Sequence, residues 1–227
     1  MSRNGAELAA EDVRALFQEL SDRLAGSGVH AQLFVVGGAA MALAYDHGRL
    51  TRDVDALFVP APEVRHAAEA IGAVHGLEPD WLNDAKGFLP GQDEHPATVF
   101  ESESQLVQVA SPEYLLAMKL HASRDERDLE DAATLFGLLG YTTAKQGIEL
   151  LTSTYSTGRL LPRHHYIVQD VTERAAALRA AENPAPRQAD PGLPEAIEKR
   201  RSKLAPPESF GRSSGRPGGH EPPSLGR

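Results

Sequence analysis

The sequence contains no cysteine. Disulfides and thiolate metal sites are therefore excluded. No apolar run approaches the roughly 20 residues that a membrane-spanning helix needs. The opening stretch, MSRNGAELAAEDV, lacks the apolar core of a signal peptide. The expectation is a soluble cytoplasmic chain with no membrane partner. Basic charge is scarce over most of the length. Residues 1–158 hold 11 Lys and Arg against 24 Asp and Glu, whereas residues 159–227 hold 12 against 8. An acidic body argues against broad nucleic-acid binding, although a local basic track or bound Mg²⁺ would offset it.

What is present is ordinary for a globular protein: 227 residues, 41% hydrophobic and 24% charged. That length can bury one core and carry a helical extension. The most informative stretch is Leu33 to Val59, LFVVGGAAMALAYDHGRLTRDVDALFV. An apolar run from Leu33 to Val36 ends in Gly37-Gly38. A small-residue helical segment, Ala39 to Tyr45, follows. Arg49-x-Thr51-x-Asp53-Val54-Asp55 then leads into a second apolar segment that stops at Pro60. The pattern predicts strand, Gly-Gly turn, helix, strand.

Alternation along the second strand puts Asp53 and Asp55 on one face, about 7 Å apart. Val54, Ala56 and Phe58 take the other face, which suits a core. Leu57 and Val59 share the acids' face, and that face is expected to become buried away from the acids. Two neighbouring carboxylates repel unless a cation or proton lies between them. Hard oxygen donors of this kind suit Mg²⁺, with substrate phosphates completing the shell. The glycines let backbone approach a phosphate closely, and the following helix start favours an anion. Thr51, two residues before Asp53, faces the same site.

Elsewhere the chain reads mainly as scaffold. Val13, Leu16, Phe17, Leu20 and Leu24 predict an amphipathic helix over residues 7–25, stopped by Gly26. A second helix follows Pro60-Ala61-Pro62 and ends near Gly76. Residues 79–96 form a long polar connection in which Trp81, Asn83 and Lys86 are candidates to line a pocket; Trp81 equally suits a core plug. Two short strands, Thr98 to Phe100 and Leu106 to Val109, suggest a hairpin. Glu101 and Glu103 in its turn are the nearby candidates for a third carboxylate.

Ser111-Pro112 starts a helix, PEYLLAMKLHA, with Lys119 deep in apolar sequence. Ser123-x-x-Glu126 reads as a capping box opening another helix. On it Leu129, Ala132, Ala133 and Phe136 form the core stripe. Arg124–Asp128 and Arg127–Asp131 are spaced as surface ion pairs. Two further helices are expected over 144–155 and 163–181. His164-His165 does not share one helix face, and no further residue completes a metal site around the pair. From Asn183 on, the Pro-, Gly- and Ser-rich composition predicts a mostly disordered tail with a short basic stretch, Lys199 to Lys203.

Gly37-Gly38 followed by Asp53-x-Asp55 resembles the signature of the polymerase-β-like nucleotidyltransferase superfamily. PEYLLAMKLHA followed by RDERDLEDAATL extends the likeness to the AbiEii/MenT-like toxins of type IV toxin–antitoxin systems. Their motifs fall on Gly37-Gly38, Arg49 to Asp55, Lys119, and Arg127-Asp128-x-x-Asp131, over roughly residues 30–140.

The resemblance implies an α+β fold: a small mixed sheet flanked by helices, a helical C-terminal half and a disordered tail. The expected divisions are a nucleotidyltransferase core over 1–110, a helical region over 111–182 completing the active site, and a tail over 183–227. It implies NMP transfer from an NTP, with a pyrimidine among the options, to a tRNA 3′ end. Asp53 and Asp55 would hold Mg²⁺. Gly37, Gly38, Arg49, Thr51 and Lys119 would hold the nucleotide. Asp128 would act as base or orient Lys119 or Arg49. A cognate antitoxin is the implied partner. Two alternatives stand: an antitoxin that transfers AMP to a partner protein, and a non-catalytic nucleotide-binding module.

Overall fold

A computed structural model describes residues 7–85, 89–123 and 125–182. The chain divides into a compact unit over residues 1–184 and a second over 185–227. The second unit lies outside the described residues, and with it the expected tail; Lys86 and Arg124 also lie outside them.

Helix α1, Ala10–Gly26, buries Val13, Leu16, Phe17, Leu20 and Leu24, the stripe that its spacing predicts. Strand β1, Ala31–Val35, runs into α2, Gly37–Ala40, which continues as a single π turn, Met41–Tyr45. Strand β2, Val54–Val59, begins one residue after Asp53. Helix α3, Ala61–His75, has Pro62 in its first turn and ends on Gly76, whose φ of 67° is the left-handed cap that glycine tolerates best.

The long connection contains a strand that its composition does not announce, β3, Leu82–Asp84. The expected hairpin forms as β4, Ala97–Glu101, and β5, Gln105–Val109. Together the strands make one mixed sheet in the order β3-β2-β1-β5-β4. Strand β1 is antiparallel to β2 and parallel to β5.

One sheet face carries Leu33, Val35, Ala56, Phe58, Val107 and Val109, all buried. The other carries Asp55, and on it the expectation for Leu57 and Val59 fails: they are 37% and 55% exposed. The reason lies in helix α4, Pro112–Ala122. Tyr114 of α4 meets Phe34 edge to face, with centroids 5.6 Å apart, so α4 covers this face at β1. The cover does not reach the far end of β2.

Helix α4 is apolar nearly all round and correspondingly buried, with Tyr114, Leu115, Leu116, Ala117 and Leu120 in the core. Helices α5, Glu126–Leu138, α6, Ala144–Thr154, and α7, Arg163–Glu182, pack around it as the helical C-terminal half. One hydrophobic cluster runs from α1 to α7. The cap between α4 and α5 differs from expectation. Asp125, not Ser123, caps α5, its carboxylate accepting the Asp128 N–H at 3.0 Å. Ser123 instead ends α4, its hydroxyl donating to the Lys119 carbonyl at 2.9 Å. Asp125 stands at the cap position itself, directly ahead of Glu126, whereas Ser123 lies two residues further out with its hydroxyl already engaged. No helix among the described residues is long and apolar enough to cross a membrane.

Candidate active site

The Gly-Gly turn and the acidic segment are packed against each other. The Val36 N–H donates to the Asp55 carbonyl at 2.9 Å. Gly37 has a φ of 66°, and a Cβ there would lie 2.9 Å from Asp55 Oδ2. A Cβ on Gly38 would lie 2.9 Å from Thr51 Oγ1 and 3.5 Å from Arg49 Nη2. A side chain at either position would force Asp55 or Thr51 to shift, and at Gly37 the positive φ favours glycine as well. Thr51 is buried, and its hydroxyl donates to the Asp53 carbonyl at 2.9 Å. Its backbone pairs with Leu8 in both directions, at 2.7 and 3.0 Å. Thr51 therefore fixes the path of the chain into Asp53, while Asp53 itself is exposed just before β2.

The cationic half of the site comes from the helices. Lys119, Asp128 and Asp131 are 7%, 4% and 4% exposed. Lys119 Nζ donates to Asp128 Oδ1 and to Asp131 Oδ2, each at 2.7 Å. Arg49 reaches Asp131 with Nε at 2.9 Å and Nη2 at 3.3 Å. Burial works against the charged form of Arg49. Asp131, with smaller contributions from Asp46 and Asp125, outweighs it and holds the guanidinium above its usual pKa. The four side chains form a charge-balanced, largely buried chain: Asp128, Lys119, Asp131, Arg49. It ties α4 and α5 to the segment ahead of β2.

The surface-pair reading of Asp131 fails: Arg127 pairs instead with Glu7, at 3.2 Å. Asp131 is the residue that sequence reasoning undervalues. The available signals are its place in the Arg127-Asp128-x-x-Asp131 motif and its position one turn after Asp128, beside the core stripe.

A cavity of about 420 Å³ lies between the sheet and α4. Gly37, Asp55, Lys119 and Asp128 line it together. So do His121, Tyr155 and Arg159, which no motif points to. The His121 and Tyr155 rings stack with centroids 4.1 Å apart and planes at 15°. Tyr155 follows α6, and Arg159 closes a short 3₁₀ turn, Thr157–Arg159.

Other candidates separate. Asn83 pairs in register with Asp55 across β2 and β3, so it sits beside the acid. Trp81 does not line the cavity among the described residues. It is buried, packs against Gly72 with a Cβ-equivalent separation of 3.0 Å, and donates from Nε1 to the Ala68 carbonyl at 2.9 Å. Glu101 pairs with Leu106, which pairs with Gln32, whereas Asp55 lies beside Val36. Four residues of strand, roughly 13 Å, separate the two levels. Glu103 lies at that same far end, its carbonyl bonded to His30 Nδ1 at 2.9 Å. The third-carboxylate expectation for either glutamate is therefore not met. His164 is buried and His165 exposed.

The donor set fits Mg²⁺ as a substrate-completed site rather than a preformed cage. No group of three or more His, Asp or Glu suited to a metal occurs among the described residues. Asp55 lines the cavity beside Gly37, whereas Asp53, exposed two residues earlier, is not among its lining residues; carboxylates of this kind suit an ion whose remaining positions are filled by phosphates and water.

No protein-family model and no curated protein sequence matches the chain. Among solved structures it is similar to an antigenic nucleotidyltransferase-like protein from Paracoccidioides brasiliensis, at 16% identity and a TM-score of 0.39. The match covers 73% of this chain and 95% of that one. At that identity and overlap it assigns no activity here.

Proposed function

We propose that the protein is a Mg²⁺-dependent nucleotidyltransferase. The observation that carries this is the convergence of Gly37, Asp55, Lys119 and Asp128 on one cavity, from four separate elements. Such a cavity lies in the size range of small-molecule sites.

In this reading the acceptor hydroxyl oxygen bonds to the NTP α-phosphorus and gives up its proton to solvent water, the bond to the bridging oxygen breaks, and pyrophosphate leaves. Gly37, which lines the cavity, and Gly38 beside it would present backbone to the triphosphate. Asp53 and Asp55 would hold Mg²⁺, which neutralises phosphate charge and orients the reacting oxygens when bound. Lys119 has three N–H donors, and two go to Asp128 and Asp131. The third is left for a phosphate oxygen, already aimed by the other two. Asp128 accepts a 2.7 Å bond from an ammonium. That supports a positioning role better than a general-base role. Asp131 does the same for Arg49 and Lys119 together.

The acceptor is assigned from the resemblance alone: the 3′ end of a tRNA, in a cytoplasmic toxin held in check by a cognate antitoxin. The test is incubation of the protein, and of Asp53→Ala, with Mg²⁺, total tRNA and each of four α-labelled NTPs. A labelled tRNA band that requires Asp53 is expected, and it names the nucleotide. Label on protein alone would replace the tRNA acceptor with a protein one. Label nowhere, with NTP binding intact, would reduce the chain to a binding module.

A further inference from the structure

The cavity has two chemically distinct walls. The sheet wall supplies Gly37 and Asp55, bare backbone and a carboxylate. The helical wall supplies His121, Tyr155 and Arg159. The phosphate chemistry proposed above uses only the first wall and Lys119, leaving the second unexplained. His121 is the last residue but one of the apolar helix α4, half-buried rather than pointing into solvent. Its ring lies nearly parallel to that of Tyr155, at 4.1 Å. It also stacks with His164, at 5.0 Å and 28°. His164 is 2% exposed, and its Nδ1 accepts the Leu161 N–H at 2.9 Å.

The consequence is a stiff stack. His164 is anchored by burial and a backbone bond. Tyr155 is anchored by burial at 6% exposure. His121, in contact with both rings, has little rotamer freedom left to lose. Pre-ordered aromatic surface costs little to use in binding. Burial raises the Tyr155 hydroxyl to about 12, so it remains a donor at any physiological pH. Arg159 is exposed beside it and adds a planar cation. Planar rings, one phenolic donor and one guanidinium form a surface suited to a nucleobase, which offers a π face and polar edges.

We infer that the His121–Tyr155 stack, with Arg159, is the nucleobase subsite of the cavity, taking the base of the NTP whose phosphates lie at Gly37 and Lys119. This rests on the nucleotidyltransferase reading and adds to it the place where base selectivity arises. A base contributed by an acceptor RNA shares the same chemistry, and the binding of free nucleotide separates the two sources.

The experiment is calorimetric titration of the full chain, in Mg²⁺, with each of the four NTPs and with inorganic tripolyphosphate. At least one NTP is expected to bind more tightly than tripolyphosphate. His121→Ala and Tyr155→Leu should weaken that NTP roughly 5- to 150-fold, the range of one base–aromatic stack. Tripolyphosphate should change by less than about twofold in the same variants. His121→Phe, which keeps a flat ring, should restore most of the NTP affinity. Because Tyr155 is part of the core, His121→Ala is the decisive variant if Tyr155→Leu fails to fold.

Equal binding of NTPs and tripolyphosphate to the unmodified protein would overturn the subsite and leave the phosphate site standing. So would equal loss of both probes in His121→Ala. If His121→Ala instead leaves free NTP binding intact and weakens only a bound tRNA, the base comes from the acceptor and the assignment to the NTP is wrong. Failure of the parent reading looks different: neither probe binds, or Asp55→Asn leaves the binding of both unchanged.

Discussion

Replacing Lys119 by methionine removes one ammonium and keeps most of the volume. Lys119 Nζ lies 2.7 Å from both Asp128 and Asp131, and all three residues are less than a tenth exposed. Asp131 retains Arg49 at 2.9 Å, and both buried carboxylates lose the ammonium. Breaking a buried ion pair by deleting one partner costs about 3–5 kcal/mol, because the remaining charge stays desolvated. For a folded unit of this size that lowers Tm by about 6–20 °C. Asp128→Asn removes one of the two carboxylate charges that Lys119 bridges, so the double variant should recover about 1–3 kcal/mol relative to additivity. Urea denaturation of the four proteins in the cycle measures this. A Lys119→Met loss below about 0.5 kcal/mol, the level of an ordinary surface change, would refute the buried network. So would strict additivity.

Gly37→Ala should cost about 1–2 kcal/mol through its backbone conformation and abolish transfer, since its Cβ would sit 2.9 Å from Asp55 Oδ2. Gly28→Ala has the same φ of 66° with open space around it, so it should cost similar stability and leave transfer intact. Burial, with His121, Arg163 and His165 nearby, holds His164 below its usual 6.5. Its neutral form is thus favoured by folding. That stability is present above pH 6.5 and is lost as pH falls through the lower folded value, so His164→Gln should flatten the acid limb of a Tm-against-pH profile. Trp81, the only tryptophan, should emit at a blue-shifted wavelength that follows global unfolding and ignores added NTP.

The elements with strong periodicity are legible in the sequence. The α1 stripe, the strand–glycine–helix–strand unit and the Ser111-Pro112 helix start all depend on contacts a few residues apart. Gly37, Arg49, Thr51 and Asp55 also come together through short-range geometry, because one strand, one turn and one helix connect them. What stays hidden depends on distant partners. Strand β3 has three residues and no alternation of its own; it exists because the β2 edge offers it hydrogen bonds. The exposure of Leu57 and Val59 is decided by how far α4 extends over a sheet formed earlier in the chain. Asp131 reads locally as half of an i,i+4 surface pair, and only the approach of Arg49, 82 residues away, makes it a buried bridge. His121 and Tyr155 carry no motif, since a ring stack between two helical segments leaves no mark in local spacing.

The most direct test follows the two ends of one nucleotide. The protein is supplied with Mg²⁺, total tRNA and an NTP labelled at either the α- or the γ-phosphate. Nucleotidyl transfer predicts α-label retained on the acceptor and γ-label released in pyrophosphate, both abolished by Asp55→Asn. Retention of γ-label on an acceptor would mean phosphoryl transfer instead. Release of neither label, in folded protein that binds the NTP, would contradict the account of this cavity as a transferase site.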